Sequence, residues 1–300
     1  MLRGRAERDL RITLFGAQTT MPVLIAPTAF HRLADPEGEC ATARAAAAAG
    51  AIMITGMAST VAVADVAKAG GADLTLWFQL YLQPEPAVTE ELVRRAEDAG
   101  CRALVVTVDS PVFGSRERDL RNGFEDLPAG LSCENMRGLG GDSGVRPIAM
   151  LPGLSWEHID RLRAVTELPI ILKGLMHPAD AMLAAAHGVS GVIVSNHGGR
   201  QLDAAVATID ALADVVRAVD VPVLVDGGIR RGTDVVKALA LGATAVAIGR
   251  PVVWGLAARG ESGVVQVLAV LHAELERALA LCGCGSPAEV TRDLVQEVRC

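Results

Sequence analysis

Eight short apolar runs rich in β-branched residues recur along the chain: Val23 to Ala26, Ala51 to Ile54, Leu74 to Phe78, Ala103 to Val108, Ile170 to Leu172, Gly191 to Val194, Val223 to Val225 and Ala245 to Ile248. Their apolarity is continuous rather than alternating, which predicts strands buried on both faces, as in a parallel sheet. Alanine-rich helical stretches such as Glu39 to Ala49 and Thr233 to Leu241 separate most of them. Gly50, Gly70, Gly100, Gly188 and Gly242 each stand where a helix should stop before the next strand, a place where glycine turns left-handed without steric penalty.

Eight strand-and-helix units predict an α/β fold closed as a (β/α)8 TIM barrel, a single domain over residues 1–300. A doubly wound open sheet would more often carry Gly-x-Gly-x-x-Gly after its first strand, where this chain has Ala26-Pro27-Thr28-Ala29. The rhythm breaks once, between Asp109 and Ile170. There the segment Gly114 to Leu154, rich in glycine, proline and charge, predicts a long loop after strand four, lying over the barrel mouth.

Chemistry in such barrels gathers at the carboxyl ends of the strands. Strand three ends in Gln79-Leu80-Tyr81, strand four in Thr107-Val108-Asp109 and strand five in Lys173-Gly174. Strand six runs into Ser195-Asn196-His197-Gly198-Gly199-Arg200-Gln201-Leu202-Asp203. His197 can take a proton near neutral pH, and Arg200 can clamp a carboxylate with two parallel hydrogen bonds. A base beside such a clamp points to chemistry at the carbon next to an acid group, although a histidine after a strand can also be purely structural. The turn Asp226-Gly227-Gly228-Ile229-Arg230-Arg231-Gly232 and the pair Gly249-Arg250 add glycine-rich backbone, helix amino ends and two cations, which predicts a phosphate site. Lys173 reads as a solvated charge, a Schiff-base former on a phosphate-binding isomerase or aldolase, or a cation beside an electron-rich cofactor. Asp109 reads as a turn former or as the carboxylate that stabilises a protonated His197.

Composition narrows the classes. The chain is 51% hydrophobic and 21% charged, enough for a large core, and with 3% aromatics that core is built from Ala, Val, Leu and Ile. A net charge of -7 argues against nucleic acid or an anionic membrane as a partner. The stretch Met1 to Arg8 lacks the apolar core of a signal peptide, and no uncharged apolar run approaches a membrane span. Six cysteines without zinc-site spacing suggest reduced thiols in a cytoplasmic protein with no metal site.

The Ser195 to Asp203 motif, together with Asp226 to Asp234 and Gly249-Arg250-Pro251, resembles the FMN-dependent 2-hydroxy acid dehydrogenases and oxidases, the family of glycolate oxidase, lactate oxidase and mandelate dehydrogenase. The likeness runs from about Met21 to about Cys284. It implies an FMN across the barrel mouth, with Ala29, Gln79, Thr107, Lys173 and Ser195 at the ring and ribityl chain. Lys173 would stabilise negative charge on the reduced ring, and Asp226, Gly228, Arg230, Gly249 and Arg250 would hold the ribityl tail and phosphate. It implies His197 as base, Asp109 as its electrostatic partner, and Arg200, Tyr81 and Arg116 as the substrate site. The implied reaction oxidises an L-2-hydroxy acid to the 2-oxo acid, with oxygen or a quinone as the final electron acceptor. A homo-oligomer, a homotetramer in the family's usual form, is implied too. Rival readings are the Lys173 isomerase or aldolase and an FMN-binding barrel with impaired catalysis.

Two departures from the family shape further expectations. Members usually begin earlier, with a segment whose tyrosine contacts the substrate carboxylate, so either the sequence is truncated or a more open mouth with weaker carboxylate binding is expected. The turn after strand two reads Thr55-Gly56-Met57-Ala58-Ser59, with Ala58 where glycolate oxidase has tryptophan. The larger pocket implies a bulky or aromatic acid such as mandelate. The charged Gly114 to Leu154 loop, read as lacking an apolar anchor, disfavours a membrane-bound form.

Overall fold

The computed structural model describes residues 7–140 and 143–296, so the Met1 to Ala6 part of the signal-peptide expectation lies outside the described residues. The chain opens with a hairpin, β1 (Ile12–Leu14) and β2 (Ala17–Thr19). Eight barrel strands follow: β3 (Val23–Ile25), β4 (Ile52–Gly56), β5 (Thr75–Leu80), β6 (Leu104–Thr107), β7 (Ile170–Leu175), β8 (Gly191–Val194), β9 (Val223–Asp226) and β10 (Ala245–Ile248). They pair in parallel around a closed ring, with β10 returning to β3 through Val246 opposite Val23. The predicted (β/α)8 barrel is the observed one.

The helices are α1 (Gly38–Ala49), α2 (Val63–Gly70), α3 (Pro86–Asp98), α4 (Glu117–Asn122), α5 (Trp156–Arg163), α6 (Pro178–Ala186), α7 (Thr208–Ala218), α8 (Gly232–Ala240) and α9 (Arg250–Cys282). Four of the five predicted glycine stops have positive φ, but Gly70 is the last residue of α2 and Gly71 makes the turn. Helix α9 is broken at Arg259 and Gly260, which leave helical geometry.

Alternation along each strand sorts its side chains into two cores. Residues such as Val23, Met53, Val106, Leu172 and Val192 face the helices. Leu24, Ile52, Ile54, Trp77, Val105, Ile171, Ile193, Leu224 and Ala247 fill the barrel interior. The hairpin closes the amino-terminal end of that interior. Leu14 is buried in it, and Phe15 lies 5.5 Å from Trp77, ring centre to ring centre. A Cβ at Gly191, the first residue of β8, would stand 2.8 Å from Phe15 Cζ, so this end has no room to spare. The hairpin escaped the sequence pattern because three-residue strands carry no readable period.

The Gly114 to Leu154 segment is less free than expected. It holds α4, a short helical turn at Glu134–Met136 and a bridge from Arg137 to Val145. The buried Asn135 accepts from Val63 N at 2.7 Å and donates to Gly56 O at 3.2 Å, fixing this half to the turn after β4. The segment is also more apolar at its surface than its composition suggested. Leu120 and Phe124 are exposed, as are Val112 and Phe113 just before it.

Candidate active site

On six of the eight strands, two residues beyond an interior core position, the same inward phase reaches the barrel mouth. Trp77 leads to Gln79, Val105 to Thr107, Ile171 to Lys173, Ile193 to Ser195, Leu224 to Asp226 and Ala247 to Gly249. Five of these six are polar, and all five are buried. Gln79 Nε2 donates to Thr107 Oγ1 at 3.0 Å. Lys173 Nζ donates to Ser195 Oγ at 2.9 Å and stands 3.3 Å from Asp226 Oδ2. Burial alone would lower the lysine pKa, but Asp226, Asp109 and Tyr81 outweigh it and raise it above the ordinary value. A lysine held as a cation is a poor nucleophile. The Schiff-base reading of Lys173 therefore loses its chemical basis.

His197 is presented by the loop that leaves β8. Ser195 Oγ, already accepting from Lys173, also accepts from His197 N at 3.1 Å. His197 has φ 59, left-handed backbone that a residue with a Cβ rarely takes. The Asn196 side chain holds the turn by accepting from Gly199 N at 3.1 Å and donating to Val206 O at 3.1 Å. His197 Nδ1 lies 2.9 Å from Asp109 Oδ1. A carboxylate can only accept, so Nδ1 carries a proton, and in the neutral ring that leaves Nε2 as the acceptor. Burial pushes the Asp109 carboxyl up, but His197, Lys173 and Ser110 together hold it below the usual carboxylate range. Gly174 makes room for this pair: a Cβ there would sit 2.6 Å from Asp109 Cβ.

Arginines ring the mouth. Burial lowers the Arg200 pKa first, and the charges of Arg116 and Arg250 lower it further against the opposing pull of Asp119 and Tyr81, so three guanidinia stand near one another. Arg116 Nε is buried without a partner, and its guanidinium stands 5.8 Å from the Phe113 ring centre. Tyr81 is largely buried at the same rim, with its phenol pKa raised by burial and its N–H donating to Met57 Sδ at 3.0 Å. Such a mouth is built for an anion.

The turns after β9 and β10 differ from expectation in one respect. Arg230 N and Arg231 N donate to Asp234 Oδ2 at 3.1 and 3.0 Å, and Gly232 N donates to Glu274 Oε2 at 2.9 Å. The amino end of α8 is thus taken up by carboxylates of the protein. What faces outward is Gly228, where a Cβ would meet nothing within 4 Å, the Arg230 guanidinium and the first turn of α9 behind Gly249. Arg230 is stacked on Trp254, 4.9 Å from the ring centre. Arg250 and Ala29 are exposed at this end. Asp226 Oδ1 is buried without a partner, an acceptor aimed at a donor that the protein does not supply. Orphaned acceptor, buried cation, open glycine turn and stacked arginine suit a ligand with a polar ring at one end and a phosphate at the other.

Residues 1–297 match the family model described as FMN-dependent dehydrogenase. The chain belongs to that family. FMN is its cofactor, and the features just named fit it. The chain is 50% identical over 297 residues to a peroxisomal (S)-2-hydroxy-acid oxidase of Oryza sativa subsp. japonica, covering 96% of this chain and 80% of the relative. It is 45% identical over 300 residues to 2-hydroxyacid oxidase 2 of Homo sapiens, covering 98% and 84%. A solved mandelate oxidase variant with (S)-mandelic acid superposes with a TM-score of 0.89 at 44% identity, covering 97% of this chain and 83% of that one.

Among the described residues no group of three His, Cys, Asp or Glu could hold a metal ion, and no helix is long and apolar enough to cross a membrane. Sequence reasoning missed Trp254, Ser110 and the buried cluster behind the turn after β3. In that cluster His31 Nδ1 contacts Thr42 Oγ1 at 2.9 Å and Nε2 contacts Thr28 Oγ1 at 2.5 Å. Glu39 accepts from His31 N and from Thr60 N and Oγ1. The Glu39 signal was hidden in an alanine-rich helix, and the others carry no local motif.

Proposed function

We propose that this FMN-dependent enzyme oxidises an (S)-2-hydroxy acid to its 2-oxo acid, with His197 as base and Arg200 as carboxylate clamp. The observation that carries the reading is the 2.9 Å His197–Asp109 pair set beside converging arginines at one barrel mouth. Arg200, with Arg116 and the Tyr81 phenol, orients the substrate carboxylate, which brings the C2 unit to His197 Nε2. His197 takes a proton there, and the Asp109 carboxylate stabilises the imidazolium that results. Bound FMN supplies the acceptor for the two electrons that leave the substrate. Gln79, Thr107, Ser195, Lys173 and Ala29 line its ring end. Asp226, Gly228, Arg230, Gly249 and Arg250 serve its ribityl and phosphate end. Lys173 remains protonated and so supplies a fixed positive charge.

Ala58, half-buried on the turn after β4, leaves side-chain room that supports a bulky or aromatic acid as substrate. Free thiols at Cys40, Cys101, Cys133 and Cys282 support a reducing compartment such as the cytoplasm. Exposed Trp254, Val270 and Leu281 on α9 support a homo-oligomer, a tetramer in our reading.

The test mixes the yellow protein anaerobically with a panel of 2-hydroxy acids and follows flavin bleaching. Mandelate is expected to bleach it faster than glycolate, and admission of oxygen then separates an oxidase from a dehydrogenase. Glycolate turning over far faster would overturn the bulky-substrate assignment, and no bleaching with any acid would overturn the activity.

A further inference from the structure

Gln201 lies one residue after the proposed clamp, and its amide is fully engaged away from it. Nε2 stands 2.8 Å from Ser110 Oγ, 3.2 Å from Asp109 O and 3.3 Å from Val112 O. Oε1 accepts from Gly114 N at 3.4 Å. A flipped amide would set its carbonyl against two backbone carbonyls, so the NH2 group must face this cluster. The two loops also touch backbone to backbone, since a Cβ at Gly114 would fall 2.3 Å from Arg200 O. One side chain therefore binds the loop carrying His197 and Arg200 to the loop carrying Asp109 and Arg116.

Hydrogen-bond polarity then fixes Ser110. The Gln201 NH2 group can only donate, so Ser110 Oγ accepts from it and spends its own proton elsewhere. Asp109 Oδ1, 2.8 Å away, is the acceptor. That oxygen also takes the His197 Nδ1 proton, whereas Asp109 Oδ2 is buried with no partner. The carboxylate's two donors thus share one oxygen. Ser110 is itself buried, so neither bond is replaced by water at low cost.

We propose that Ser110 and Gln201 are positioning residues that set the strength of the Asp109–His197 pair and join it mechanically to the Arg200 clamp. The inference rests on the base-and-clamp reading above. By donating to Oδ1, Ser110 draws electron density from the atom that holds His197, and so tempers how strongly the imidazolium is stabilised. Gln201 keeps that donor aimed and keeps Arg200 in register with the base. The other charged or titratable groups facing Asp109 are Lys173 from β7 and Tyr81 from the end of β5, with Asp226 beyond Lys173 and Arg116 beyond Tyr81.

The sign of the pH effect separates this role from a merely structural one. Without the Ser110 hydroxyl, Oδ1 pulls harder on His197. In Ser110→Ala the acid limb of kcat/KM for anaerobic flavin reduction should then move to higher pH, by about half to one unit. Ser110→Thr, which keeps the hydroxyl, should restore the limb. In an Asp109→Asn background the Ser110→Ala shift should vanish, because the serine acts through the carboxylate. Simple loosening would part Asp109 from His197 and move the limb down or not at all. Gln201→Met should raise KM about tenfold with a smaller fall in kcat, as the hydrogen bonds that join the two loops are lost. It should also weaken binding of a 2-oxo acid, read without turnover from the perturbed flavin absorbance. An unmoved or lowered limb in Ser110→Ala, or a shift that persists in the Asp109→Asn background, overturns the proposal while leaving the activity intact. A wild-type flavin that no 2-hydroxy acid bleaches instead overturns the reading beneath it.

Discussion

The two ends of the barrel are built from the same eight strands and the same inward phase, yet they are chemical opposites. At the amino-terminal end Leu14 is buried in the interior core, Phe15 packs on Trp77, and a Cβ at Gly191 would collide with Phe15. Two residues further along the strands, the inward positions become Gln79, Thr107, Lys173, Ser195 and Asp226. The lower layer is held by burial and has no use for polar atoms; Trp77 Nε1, buried without a partner, is its exception. The upper layer is held by hydrogen bonds and leaves acceptors such as Asp109 Oδ2 and Asp226 Oδ1 unsatisfied. A strand step of two residues keeps the direction and changes the height, which lets one fold separate stability from chemistry.

Substitutions at the two ends should therefore fail in different ways. The largest effect belongs to the mouth: His197→Ala should slow anaerobic flavin reduction by about 10²- to 10⁴-fold while the protein stays folded and yellow. Bleaching at an undiminished rate would remove His197 from the role of base. Trp77→Ala, at the other end, should lower unfolding free energy by about 3–5 kcal/mol in denaturant titrations. Its folded fraction should keep a near-normal turnover rate, and a selective loss of turnover would blur the division between the ends.

A smaller effect tests the polar cluster behind the mouth. Burial holds the His31 pKa below its ordinary value, despite the opposing pull of Glu39. A histidine whose folded pKa is depressed takes up a proton more readily when unfolded, so stability is lost as pH falls below about 6.5, the unfolded value. The wild type should melt at progressively lower temperature from there downward, and His31→Gln should flatten that slope. An equal slope in the variant would assign the acid sensitivity to other groups. The smallest effect concerns Trp254, whose stack under Arg230 is worth about 0.5–1 kcal/mol at an exposed site. Trp254→Ala should weaken FMN binding by about two- to fivefold, read by flavin fluorescence, and Trp254→Phe should recover part of it.

Much of this molecule could be read from the chain. Continuous apolar runs announce buried parallel strands because each strand is covered on both faces, and the residue at a strand's end is fixed by local spacing. Lys173, Asp109 and His197 were legible for that reason. Contacts between distant segments were not. Gln201 meets Ser110 from 91 residues away, and nothing near either residue encodes the meeting. The seat of Arg230 on Trp254 and the capture of Gly232 N by Glu274, 42 residues on, share that origin. The turn of α8 looked like a donor of free N–H groups until its acceptors arrived from Asp234 and α9.

Sequence by itself determined the barrel, the strand-end chemistry and the family motif, since periodicity, helix stops and turn glycines act over a few residues. Tertiary structure alone decided that Lys173 is paired with Asp226, that one Asp109 oxygen serves two donors, and that Gln201 ties the two rim loops together. Those outcomes depend on burial and on hydrogen-bond partners drawn from other strands, and such partners exist only once the barrel has closed.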